Sequence, residues 1–163
     1  MRNFPALRMA FIAGMTLAPF AVHADDKTAV SAEHGRYVAV IGGCNDCHTE
    51  GYAPANGNVP VAQWLQGSTL GFRGPWGTSY PINIRAYIDA MSEDDWVKRA
   101  ATMETKPPMP WFTVRQINET DLRSFYRFVK SLGPVGAPTP DDVPPNAEPK
   151  TPYIVFAPPT MPK

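Results

Sequence analysis

No stretch of this 163-residue chain is apolar for long enough to cross a bilayer. The longest apolar run, Met9 to Val22, covers 14 positions against the roughly 20 a spanning helix needs. Charge of either sign is not in excess: 15 basic and 15 acidic side chains cancel. No clustered basic face exists to suggest a nucleic-acid partner. Cysteine is scarce, with Cys44 and Cys47 the only two, so the one disulfide available is between them. Regular periodicity is missing from residues 49–90, where Gly51, Pro54, Gly57, Pro60, Gly67, Gly71, Gly74, Pro75, Gly77 and Pro81 break the chain into turns.

The apolar run belongs to residues 1–24, which read as a cleaved secretory signal. Arg2 and Arg8 give a basic start, and Val22-His23-Ala24 sets small or modest side chains before Asp25-Asp26. Removing this segment takes two arginines and no acid, which leaves 13 basic against 15 acidic groups. The expected product is one soluble, exported domain without an anchor.

Residues 44–48 read Cys-Asn-Asp-Cys-His. Cys-x-x-Cys-His is the attachment signature of c-type haem. Each thiol adds across one haem vinyl group, and the two-residue gap matches the spacing of the vinyls. The adjoining imidazole is carried under the iron as an axial ligand. Cys44, Cys47 and His48 are therefore expected to hold one covalent haem c. Export agrees with this, because bacteria attach c-type haem outside the cytoplasm.

The sixth iron ligand decides between electron transfer and small-molecule chemistry. His23 leaves with the signal, and His34 sits upstream in the first helix. Among the methionines, Met109 stands in Pro107-Pro108-Met109-Pro110, where flanking prolines fix φ and remove donors. A pre-set loop can present a thioether with little ordering entropy left to lose. Met103 is the second candidate, with core filling the ordinary role of a methionine. His48 and Met109 together predict a six-coordinate, low-spin iron whose thioether favours the ferrous state. An open site, with Met109 off the iron, is the alternative and points to a peroxidase or gas binder. A thiol–disulfide oxidoreductase using Cys44 and Cys47 is a third class; its motif normally opens a helix after a strand, and no βαβ unit is readable.

Three main helices are expected. Thr28 to Gly43 places Val30, Tyr37, Val38 and Ile41 on one face, with Ser31 a cap. Ser92 to about Met103 starts on a Ser92/Asp95 capping pair, with Trp96, Val97 and Ala100 inward. Glu119 to Leu132 carries the Asn118 cap, an Ile117/Leu122 staple and the stripe Leu122, Phe125, Tyr126 and Val129, and stops at Gly133-Pro134. The last 30 residues hold ten prolines and read as extended chain. Within them Tyr153-Ile154-Val155-Phe156 is a β-forming cluster with a use on the domain or on a partner.

Assembled, these residues resemble the class I monohaem cytochromes c over about 28–134. Gly35 and Tyr37, Cys44 to His48, the Met109-Pro110-Trp111 loop and the aromatic helix Asp121 to Pro134 carry the resemblance. It implies an all-α fold: three main helices and long loops around one haem. With the signal and the proline-rich tail, which lies outside the resemblance, the chain divides into a signal (1–24), a cytochrome domain (25–134) and the tail (135–163). In that family the first and last helices cross at the glycine against an aromatic, roles that fit Gly35 and Phe125 or Tyr126. A loop proline carbonyl there accepts from the proximal histidine, and Pro60 is the counterpart here. Arg73, Arg85, Tyr80, Trp76 and Trp111 could meet the haem propionates or line the pocket. A finer likeness, through Gly77-Thr-Ser-Tyr-Pro-Ile-Asn-Ile84 and Met109-Pro-Trp111, is to one haem domain of the cytochrome subunits of membrane-associated dehydrogenases. Those subunits carry three such domains. The resemblance implies a periplasmic electron-transfer protein and no enzyme on its own, taking electrons from a dehydrogenase and passing them to an oxidase or another cytochrome.

Overall fold

The computed structural model describes residues 29–133 and 135–162. The signal expected at 1–24 lies outside the described residues. Six helices follow in order: α1 (Ala32–Ile41), α2 (Cys44–His48), α3 (Ile84–Asp89), α4 (Glu93–Ala101), α5 (Trp111–Val114) and α6 (Glu119–Ser131). Three short strands, β1 (Gly71–Gly74), β2 (Gly77–Ser79) and β3 (Tyr153–Val155), form one sheet in the order β2-β1-β3. No helix among the described residues is long and apolar enough to cross a membrane.

The long helices begin where the caps place them. Ser31 accepts from the His34 amide, Ser92 from Asp95 at 3.1 Å and Asn118 from Asp121 at 2.9 Å. Each satisfies one amide that the first helical turn leaves unpaired. The core lies where α1 packs across α6, with α3 and α4 closing its side; it contains Val38, Ala39, Trp64, Leu65, Ile88, Trp96, Leu122, Phe125, Phe128 and Val129. The Trp96 indole donates to the Leu122 carbonyl at 2.9 Å and ties α4 to α6.

The inner face of α1 is Gly35, Val38 and Ala39, whereas the periodicity placed Tyr37 and Ile41 inward. Tyr37 and Ile41 are 57% and 61% exposed. The crossing at Gly35 overrules the apolar count: only that face lets the two helices approach. A Cβ on Gly35 would overlap the Ser124 carbonyl and lie 2.7 Å from Phe128 Cβ. The close neighbours are therefore Ser124, one residue before the expected Phe125, and Phe128, two residues after the expected Tyr126. Tyr126 instead donates its hydroxyl to the Met91 carbonyl at 3.0 Å.

An all-α expectation did not contain the sheet. β1 and β2 are antiparallel across a tight turn at Pro75-Trp76, with Phe72 opposite Ser79. The last part of the tail adds β3 parallel to β1, with Phe72 opposite Ile154. Phe156 packs on Phe72 and Trp76 with ring centroids 6.0 Å apart. The β-forming cluster thus seats on the domain itself. The remainder of the tail follows the domain: Asn83 donates to the Val135 and Ala137 carbonyls, and Arg73 to the Ala147 carbonyl and Glu148.

Electrostatics join α4 to α6 as well. Glu93, in the first turn of α4, receives Arg123 at 3.1 Å and Arg127 at 3.1 Å. Hydrogen bonding from Arg127, helped by Arg123, holds its carboxyl below the usual range, against the opposing effect of burial, which ranks between the two. A depressed folded-state pKa stabilises above the unfolded value of 4.5 and is lost as pH falls through the lower folded value. Glu93→Gln is accordingly expected to cost up to about 1 kcal/mol at neutral pH. Denaturant titrations of the two proteins should converge as the pH is taken down through and below 4.5.

Candidate haem site

Cys44, Cys47 and His48 share one helix, α2, placed directly after α1 by the Gly42-Gly43 break. Positions i and i+3 of a helix lie on one face, so both thiols point the same way with His48 one residue on. Both cysteines are free and half-buried. Burial pushes the Cys44 thiol up to about 11, with smaller contributions from Asp46 and Cys47, and raises Cys47 for the same leading reason.

His48 is buried, and its Nδ1 lies 2.8 Å from the Ile82 carbonyl. A carbonyl only accepts, so Nδ1 carries the proton and the lone pair is left on Nε2, for which no hydrogen bond is found among the described residues. Burial lowers the pKa of His48, opposed by the Ile82 bond, and the neutral ring is the ligating form. The acceptor is Ile82, and not Pro60 as the family pattern suggested. Pro60 caps a 3₁₀ turn (Val61–Gln63) that leads to Trp64 in the core.

The chain around α2 is fastened by hydrogen bonds. Gly67 donates to the His48 carbonyl at 2.8 Å, the Thr49 hydroxyl donates to Asn45 Oδ1 at 2.7 Å, and the Leu65 amide donates to Thr49 Oγ1 at 2.8 Å. Beside Cys47 opens a pocket of about 380 Å³ lined by Tyr52, Leu70, Phe72 and Ile154, with Asp46 and Glu50 supplying carboxylates. Neither His48 nor Met109 lines it.

The two methionine candidates separate cleanly. Met103 is 7% exposed and packs in the main core, the ordinary role of a thioether. Met109 is half-buried and lies outside that core, on the loop between α4 and α5. The end of β2 and the residues after it touch both segments: Ser79 Oγ donates to the Pro107 carbonyl at 2.5 Å, and three residues later Ile82 receives His48. One short stretch of backbone therefore locates the histidine and the loop that carries Met109.

The side chains suggested for the propionates have mostly other duties. Arg85 is buried and donates to the Trp64, Ala62 and Leu132 carbonyls at 2.8, 2.9 and 3.0 Å, which ties the Val61–Gln63 turn to the end of α6. Tyr80 bonds Thr151 at 2.8 Å, and Trp111 lies 4.5 Å beneath the Arg115 guanidinium. Arg73 is engaged by the tail. Trp76 differs: its indole N–H is shielded from water and has no hydrogen-bond partner among the described residues. An unmet buried donor is costly, and an anionic acceptor would satisfy it. Sequence reasoning had given Trp76 no more weight than its four companions, because an unmet donor shows only in three dimensions.

The α2 donors suit haem c: two reduced thiols on one helix face and an imidazole whose Nε2 has no hydrogen bond among the described residues. Among the described residues no group of three or more His, Cys, Asp or Glu gathers as a metal-binding cluster. Compared with known protein families, curated proteins and solved structures, the chain matches none.

Proposed function

We propose that the chain is an exported monohaem c-type cytochrome of the class I kind, carrying single electrons between periplasmic redox proteins. The single observation that carries the reading is the orientation of His48, whose Nδ1–H is bonded to Ile82 so that Nε2 is held free on the helix that also bears both thiols. Haem c bound there supplies a reversible one-electron ferrous/ferric couple. The chain's own residues do the rest. Cys44 and Cys47 would form the thioether links, and His48 and Met109 would hold the iron. The hydrogen bond to Ile82 fixes the imidazole tautomer and raises its basicity.

Thiol–disulfide exchange is less well supported. A nucleophilic cysteine needs a depressed pKa, and Cys44 is pushed to about 11. Its helix also follows another helix, without the strand that such motifs use. A free carrier and an electron-accepting subunit of a dehydrogenase both fit the haem chemistry, with a dehydrogenase as donor and an oxidase or cytochrome as acceptor.

The test is production of the full chain together with haem-maturation machinery. One haem per chain should stay attached through denaturing electrophoresis, and the Cys44→Ala/Cys47→Ala pair should abolish it. A colourless protein with two titratable thiols under those conditions defeats the proposal.

A further inference from the structure

We propose that the proline-rich C-terminal segment clamps the loop that carries Met109, with Asp142 as the positioning residue. This rests on the reading of Met109 as an iron ligand. Asp142 makes two contacts with different parts of the domain. Its Oδ1 accepts from the Tyr80 amide at 3.1 Å, and its Oδ2 pairs with Lys106 Nζ at 2.9 Å. Tyr80 directly follows β2, and Lys106 stands three residues before Met109. The next residue, Val143, fixes the backbone of Asp142 by exchanging both hydrogen bonds with Thr78, at 2.7 and 2.8 Å. The loop is thus held at adjacent positions: Lys106 by Asp142 and Pro107 by Ser79. Beyond Lys106 come Pro107 and Pro108, whose φ angles cannot swing. Restraint applied at 106–107 therefore carries to Met109 with little slack.

The domain is shaped to receive this segment. Gly77 has φ +101°, and a Cβ there would overlap the Val143 carbonyl and lie 3.0 Å from the Pro144 carbonyl carbon. The tail accordingly runs at a distance only a glycine permits. Thr78 and Tyr80, which grip the tail on either side of Ser79, are both buried.

Magnitudes rank the parts. The Lys106–Asp142 pair is about half exposed on the lysine side, and such pairs contribute little and are screened by salt. The amide bond from Tyr80 joins a carboxylate to a largely buried residue and should matter more. Truncating Asp142 removes both; truncating Lys106 removes only the weaker.

Two readouts test the clamp in the full-length holoprotein: affinity of the ferric form for added imidazole, which must displace Met109, and hydrogen exchange at the Trp111 and Thr113 amides, which bond the Met109 and Pro110 carbonyls. Asp142→Ala should strengthen imidazole binding about three- to tenfold and speed exchange at both amides. Lys106→Met should change either by less than about twofold, and added salt should mimic it. Lys98→Met, in a 3.9 Å pair on α4, should match the unaltered protein. Equal amide exchange in Asp142→Ala and the unaltered protein overturns the clamp. If the chain carries no haem, the ligand reading fails on its own account, and amide exchange alone decides whether Asp142 holds the loop.

Discussion

Met109→Ala is expected to keep its covalent haem yet turn high-spin in the ferric form, bind exogenous ligands readily and show a lower midpoint potential. The expected fall is on the order of 100 mV, a modest part of the span of about 0.8 V that axial ligands command. The proposed attachment uses Cys44, Cys47 and His48, all on α2, and among the described residues none of them is hydrogen-bonded to the 104–110 loop. With Met109 as the proposed ligand, removing the thioether would leave water or nothing on that side, and the ferrous state would lose its soft ligand. Met103→Ala supplies the contrast. Met103 is buried in the core, and its carbonyl accepts from Arg115 Nε at 2.7 Å. Its truncation should cost about 2–5 kcal/mol of stability through the cavity it leaves, with spin state and potential preserved. Absorption spectra, a redox titration and denaturant melts on the two variants separate ligand from filler. An unaltered spectrum and midpoint in Met109→Ala assign the iron's second face to another group and favour the open-site reading.

Whether a feature was legible in the sequence depended on how far away its cause lay. The starts of α4 and α6 were readable because a cap acts on amides two or three residues on: Ser92 and Asn118 announce their helices whatever the rest of the chain does. The Cys-x-x-Cys-His pattern at 44–48 was readable for the same reason, since its five residues are consecutive. The inner face of α1 was not, because its partner is Ser124, 89 positions beyond Gly35 in the chain. Apolar periodicity alone turned Tyr37 and Ile41 inward, and the helix crossing turned them out.

Carbonyl acceptors are harder still, since a backbone oxygen has no residue-type signature. Ile82 receives His48 because of where the segment after β2 runs, and nothing in the side chain of Ile82 foretells that. Helix α3 left one trace that could have been used: Asn83 accepts from the Ala86 amide at 3.0 Å, an ordinary cap preceding Ile84 and Ile88. It was obscured by the turn formers around it. The strand at Tyr153–Val155 was visible as a β-forming cluster, but its partner β1 lies some 80 residues earlier between two glycines. Short glycine-bounded strands carry almost no alternation from which a partner can be inferred.

The crossing of α1 and α6 yields the largest stability prediction. Gly35→Ala is expected to destabilise the protein by about 3 kcal/mol, at the upper end of what overpacking a tight interface costs. Alanine is intrinsically the better helix former by roughly 0.8–1.0 kcal/mol, so propensity alone predicts the opposite sign, and the measurement decides between the two effects. Packing should win because the first atom a Cβ meets is the backbone carbonyl of Ser124. A flexible side chain could swing aside, whereas a helix carbonyl moves only if the helix does. Separating the helices would also strain the contact between the Ser31 amide and Ser124 Oγ (3.3 Å), and that between His34 Nε2 and Asp121 Oδ1 (2.5 Å). Both join the same two helices one turn away. Because α2 continues directly from α1, displacement of α1 should reach Cys44 and His48, so Gly35→Ala is expected to lower haem attachment as well as the melting temperature. An exposed helical position gives the control: Ala101, at the end of α4, can be changed to Gly and should lose only about 1 kcal/mol. Melts of Gly35→Ala that coincide with the unaltered protein would mean the helices do not cross at Gly35, and the placement of α2 would lose its foundation.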